Sequence, residues 1–395
     1  MTFLYGSAQS RLSLSKRAGS IAQFGSVRLS TLEDGPGRGV RILDFNTGGG
    51  LRFTVNVDRA MDIGEFSHNG RAIGWHSATG TRHPAFNDQS EDNGVGWNRS
   101  FSGFLATCGL DHILGPEDVS GETYNHASQL RVKQGLHGRI ANTPARLSGY
   151  GEFWHGDTCS LWAEGIVTQA TLFGEVLTLH RRLEVDLGSN TVRVNDSVTN
   201  DGPVSTPHML LYHVNLGYPL IDLGTQYTAP VKSVIYATHA KGGLAAQGVG
   251  YRTCPDPITG FTEQVWQHDM AHDAMGMVPV VVANHRQSLG LMMETHAPQL
   301  PCAYQWQNFQ SGHYVMGVEA ATHHVKGNNF ARDRGEMIWL ESGECRNYSV
   351  QFSVLDGEEQ ISNAENRVST IAQQPDSDYP EPTNKFRSLY QATEI

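Results

Sequence analysis

Between Val27 and Gly70, apolar and polar residues alternate with a period of two, in VRLSTLEDG, GVRILDFNTGG and LRFTVNVDRAMDIGEFSHNG. Successive side chains on a strand point to opposite faces, so this alternation calls for strands with one buried face. Leu51, Phe53, Val55 and Val57 share such a face, and the Gly-rich breaks supply turns. Further strands are predicted in EFWHGDTCSLWAEGIVTQA, EVLTLHRRLEVDL and TVRVNDSVTND, the last two joined by a hairpin turn at Gly188-Ser189-Asn190. Residues 286–355 add RQSLGLMMETH, CAYQWQNF, HYVMGVEAAT and EMIWLESGECRNYSVQFSVL. The last is read as a hairpin turning at Glu341-Ser342-Gly343-Glu344. Well over a dozen strands are expected, with no repeat period and no long amphipathic helix. That pattern describes an all-β chain, a large antiparallel β-sandwich with few short helices.

One domain over 31–355 accounts for the pattern, because no linker-like break in composition interrupts it. Residues 1–30 read as an N-terminal arm or edge strand, and 356–395 as a polar C-terminal extension. Within that extension, 356–372 suit a short helix and 373–395 a tail with little core of its own. The polar stretch 75–101 is long for a loop in a compact domain, which marks it as functional or a lid. The formal net charge of −11 argues against nucleic acid or an anionic membrane as partner and suits a neutral ligand. Five cysteines with no CxxC pair give no zinc or redox motif and point to a reducing compartment. The first twenty residues hold no signal-like apolar run, and no stretch reaches the ~20 apolar residues of a membrane helix. A cytoplasmic protein is expected.

Three stretches carry titratable groups in apolar or Gly-rich settings. PHMLLYHVNLGYPL (Pro207 to Leu220) reads as a buried strand that delivers His213 and then breaks at Gly217 and Pro219. Alone, His213 would read as a satisfied core histidine. His213 and Asn215 share a face, opposite Tyr212 and Val214. In GLHGRIANTPA, His137-Gly138-Arg139 sets an imidazole and a guanidinium close together. In YVMGVEAAT, Glu319 is the one carboxylate of an apolar strand, and such a group must be paired or functional. TEQVWQHD adds Glu263 and His268, groups suited to sugar hydroxyls, on what is otherwise an ordinary amphipathic strand. The remaining histidines match no metal-ligand spacing, so neither metal nor cofactor is expected.

Together with VDRAMDIGE, GFLATCGL and IWLESGECRNYSVQFSVL, these stretches resemble the aldose 1-epimerase (galactose mutarotase-like) superfamily, and in particular a branch of unknown function. The resemblance spans about residues 30–355 and implies a galactose mutarotase-like β-sandwich that takes a small-molecule carbohydrate. It implies His213 as general acid, Glu319 as general base, and His137 and Arg139 as substrate-binding groups. The family's substrate-binding Asp has no clear counterpart; Asp256, Glu263 and Asp269 are the candidates. The implied reaction is anomer interconversion by ring opening. Two alternatives stay open: a sugar-binding protein without turnover, and a lyase or isomerase of an oxidised or keto sugar, metal-assisted through His137, His213 and Glu319. A homodimer is left open as well. The spatial expectation is that His213 and Glu319 face each other across a pocket of sugar-ring width, with His137 and Arg139 on its rim.

Overall fold

A computed structural model describes residues 1–124, 129–239 and 247–390. The last five residues of the expected polar extension lie outside these. Seven strands build the sheet that matters for function, numbered here β1 (Leu105–Leu110), β2 (Thr206–Leu216), β3 (Val231–Ala237), β4 (Gln264–Met270), β5 (Cys302–Asn308), β6 (Val315–Ala321) and β7 (Ile338–Leu340). Their order is β3-β4-β5-β6-β2-β7, and β1 also pairs with β2. All the pairings are antiparallel. His213 is opposite Glu319 of β6 and also opposite Ala106 of β1, so β2 has a neighbour on each edge.

An eight-stranded sheet stands against it, ordered Arg146–His155, Thr158–Ala170, Val176–Asp186, Thr191–Asn200, Cys345–Asp356, Leu289–His296, Met277–Asn284 and Gln226–Thr228. The alternating N-terminal segment forms a five-stranded sheet whose edge strand is Ser26–Thr31. Leu210, Tyr212, Val214 and Leu216 of β2 pack with Leu179, Leu183, Val194 and Phe352 of the eight-stranded sheet. Met209 and Leu211 turn the other way, into a second cluster with Trp97, Phe101 and Cys108. Every residue of β2 is therefore buried, which is why its sequence reads as an apolar run and does not alternate.

Four local expectations change. The turn Glu341–Glu344 forms, with the Glu344 N–H donating to Glu341 O at 2.8 Å, but it joins no hairpin. Ile338–Leu340 pairs with β2, while Cys345–Asp356 enters the other sheet, where its alternating Val350, Phe352 and Val354 meet the core. The polar stretch before Gly135, whose composition predicts a loop, carries a short hairpin, Glu117–Ser120 with Arg131–Gln134. The 75–101 loop contains short helical turns, and its Trp97 and Phe101 are buried. The tail docks on the molecule: the Thr383 and Asn384 N–H groups donate to Val234 O and Ile235 O of β3, and the Tyr390 hydroxyl donates to Thr322 O. The short helix is where the pattern placed it, at Glu358–Ile371, burying Ile361, Ala364 and Val368. No helix among the described residues is long and apolar enough to cross a membrane.

Behind β2 a buried guanidinium binds three sheets together. Arg181 donates to Asp196 (2.6 and 2.9 Å), to Asp62 (2.7 Å) and to the Thr107 hydroxyl (2.8 Å). The Tyr212 hydroxyl, one residue from His213, donates to the same Asp196 at 2.7 Å. A buried charge set of this kind is costly to break from one side, since the partners stay behind uncompensated. Arg181→Met should therefore lower stability by about 3–5 kcal/mol in urea unfolding. A loss below about 1 kcal/mol would show that the network does not hold the sheets.

Candidate active site

Because β2 and β6 are in antiparallel register, His213 and Glu319 sit side by side on the face turned away from the eight-stranded sheet. Val318 and Ala320, flanking Glu319, go into the inter-sheet core. The His213 Nε2 and Glu319 Oε1 atoms are 3.3 Å apart, and both side chains are buried. The expected separation by a sugar's width is therefore corrected to direct contact between neighbours. Gly317 makes the contact feasible. A Cβ there would come within 2.9 Å of Glu319 Oε1, 3.1 Å of Trp306 Cβ and 3.2 Å of His213 Cε1.

The pair lies in a cleft of about 340 Å³. Its walls are aromatic. Phe101 lies 4.9 Å from the His213 ring, Trp306 5.4 Å and Trp97 5.9 Å, between centroids. None of these three was singled out from the sequence. For Trp97 and Phe101 the signal available was the long 75–101 loop, but a loop has no period to show which residues turn inward; Trp306 lies on β5.

His137 also lines the cleft, its ring 5.5 Å from that of His213. It has a φ of 59°, followed by Gly138 at 72°. A Cβ on Gly138 would lie 2.3 Å from Gly109 O, so glycine is required there. The Leu114 N–H donates to His137 Nδ1 at 3.3 Å, which leaves the proton of the neutral ring on Nε2. Glu263 reaches the cleft and accepts a hydrogen bond from the Trp306 indole N–H at 2.9 Å.

Three expected members do not join them. Arg139 turns away to Glu175 (3.1 Å) and Thr171 (2.8 Å), because Glu175 is a buried carboxylate in need of a cation. Asn215 shares the His213 face, but its amide nitrogen donates to Gly103 O (3.1 Å) and His213 O (3.2 Å), and the side chain lies outside the cleft. His268 packs against Tyr227 and Tyr251, outside the cleft. Of the acidic candidates, Asp269 pairs with Lys232 at 2.9 Å, and neither it nor Asp256 lines the cleft. No group of three or more His, Cys, Asp or Glu side chains among the described residues is arranged to hold a metal ion, and His137, His213 and Glu319 are not such a group. A larger hollow of about 600 Å³, beside Trp339, Arg346, Arg387 and Tyr390, is lined by no carboxylate among the described residues.

Burial governs the charges of the pair. It raises the Glu319 carboxyl to about 8, helped by the charge of Glu263. It lowers the His213 imidazole to about 3, opposed by the neighbouring Asn215 side chain. It lowers His137 as well, with His213 and His112 adding to the effect. An ion pair would shift the two partners the opposite way, so here desolvation outweighs their attraction. At neutral pH the pair holds one proton between two uncharged groups.

This arrangement makes stability depend on pH. The unfolded chain releases the Glu319 proton near the ordinary 4.5, whereas the folded chain keeps it to about 8. The stability present below the ordinary value is therefore lost as pH climbs through the folded one. In Glu319→Gln the fall in melting temperature between about pH 5 and about pH 9 should be visibly smaller than in the wild type. Parallel curves for the two proteins would contradict the burial assigned to this carboxyl.

A family model described as "Domain of unknown function (DUF4432)" matches residues 37–354. No curated relative matches the sequence. Among solved structures, a "putative aldose 1-epimerase" from Klebsiella pneumoniae subsp. pneumoniae is 23% identical, with a TM-score of 0.79 over 91% of each chain. A galactose mutarotase-like protein from Clostridium acetobutylicum is 13% identical, with a TM-score of 0.57 over 85% of this chain and 99% of its own. Galactose 1-epimerase from Lactobacillus acidophilus is 13% identical, with a TM-score of 0.51 over 84% and 99%. At these identities the likeness establishes the galactose mutarotase-like fold.

Proposed function

We propose, proceeding from the fact that this chain belongs to the DUF4432 family, that it interconverts the α and β anomers of an aldose by opening and reclosing the sugar ring. The observation that carries this reading is the 3.3 Å contact of His213 Nε2 with Glu319 Oε1 inside an aromatic cleft. Ring opening moves two protons, one off the anomeric hydroxyl and one onto the ring oxygen. Both oxygens are bonded to the same carbon. The base and the acid must therefore be neighbours, which the register of β2 and β6 provides.

The cycle needs one proton on the pair. It passes from Glu319 to His213 along their contact, leaving a carboxylate and an imidazolium. Glu319 then takes the anomeric hydroxyl proton while His213 protonates the ring oxygen. The ring C–O bond breaks and the carbonyl forms. What remains is a neutral carboxyl beside a neutral imidazole, the state that burial favours. Rotation about the bond to C2 presents the other carbonyl face, and the same transfers in reverse close the ring. His137, with its proton on Nε2, donates a hydrogen bond to a ligand oxygen. Positioned acid–base help of this kind supplies ~10²–10⁴-fold.

Exchange NMR of α and β anomers across a panel of aldoses tests the reading. Glu319→Gln and His213→Asn, each folded, should lose about 10²–10⁴-fold of the exchange rate. Retained exchange in either variant, or sugar binding without exchange in the wild type, would refute the roles. The protein-dependent rate should also hold through neutral pH and fall as pH rises through about 8, where Glu319 gives up the pair's proton. A rate still climbing above that pH would contradict the one-proton requirement.

A further inference from the structure

Four of the side chains lining the cleft, Leu114, Leu136, Val265 and Val325, are aliphatic and only half-buried. They hold apolar surface that a ligand would cover, and they carry no atom able to bind a hydroxyl. The polar side is thin by comparison. The Tyr304 hydroxyl is committed to His323 O, and the Trp306 N–H to Glu263. The Arg139 guanidinium is committed to Glu175, and Asn215 does not line the cleft. Once the His213–Glu319 pair takes the anomeric and ring oxygens, a hexose still has four hydroxyls to satisfy. His137, Asn98, Tyr236, Thr238 and Glu263 are the side chains left to meet them. A hydroxyl set against aliphatic carbon loses its water and gains no partner, whereas a methyl group there gains contact.

We propose that the cleft takes a 6-deoxyaldose, a sugar with a methyl group where a hexose carries its hydroxymethyl, and that Leu114, Leu136, Val265 and Val325 form the wall receiving that methyl. The inference rests on the anomer-exchange reading and narrows its substrate class. Trp97 and Trp306, both beside the His213 ring, suit the C–H face of such a ring.

Titration calorimetry with sugar pairs of matched configuration, differing only in hydroxyl or hydrogen at C6, tests it. Wild-type protein should bind the 6-deoxy member of at least one pair about tenfold more tightly than its hexose. Val265→Thr combined with Val325→Thr keeps the shape and adds two hydroxyls, and should cut that preference to about threefold or less. Equal binding in every pair, tighter binding of the hexose, or a preference unmoved by the double substitution would overturn the inference. If the wild type exchanges hexose anomers yet shows no 6-deoxy preference, the inference falls and the proposed function stands. If no sugar binds at all, both fall.

Discussion

A strand covered on both faces must find partners for the polar groups it carries, and among the described residues the side chains of β2 do so at every atom but His213 Nδ1 and Asn215 Oδ1. The His208 ring is 2.8 Å from both Leu110 O and the Tyr348 hydroxyl. Tyr212 is bound to Asp196 and Asn215 to Gly103 O. Only His213 is aimed into the cleft, with Nε2 against Glu319 and with Nδ1 lacking a partner among the described residues. The Arg181 network supports the same strand from behind, through Tyr212 of β2 and Thr107 of the adjacent β1. The imidazole is therefore held by a frame that other residues have already satisfied, which is what a precise site needs.

The cost of that frame appears as perturbed charge. A carboxyl and an imidazole in contact would ordinarily be an ion pair. Enclosed by Trp97, Phe101 and Trp306, the pair favours its uncharged form. Two groups pushed apart in this way can trade a proton with a ligand near neutral pH, and titratable pairs of that kind mark acid–base sites. Gly317 shows the same preference for function at the level of sterics, since a side chain there would occupy the space of the pair.

Much of this was legible in the sequence, for local reasons. The period-two runs became strands, the apolar run around His213 became the doubly buried β2, and the lone carboxylate of YVMGVEAAT became its neighbour. What stayed illegible depends on contacts between distant residues. Arg139 looked available because Glu175, its partner, is remote in the chain and gives no sign that it is buried. Trp97 and Phe101 lie in a stretch without periodicity, so nothing local aims them inward. The split of Ile338–Leu340 from Cys345–Asp356 depends on which sheet edge is vacant, which no turn motif encodes. The docked tail has no core of its own and is ordered by what it touches, including β3 and Thr322.

The central claim is that the pair on β2 and β6 handles the two oxygens of a single anomeric carbon. The most direct measurement is a crystal structure with an aldose bound. The expected result places the anomeric hydroxyl within about 3.2 Å of the Glu319 carboxyl and the ring oxygen within about 3.2 Å of His213 Nε2. A sugar seated in the cleft with its anomeric carbon remote from both, or bound instead in the hollow beside Arg346 and Arg387, would contradict it.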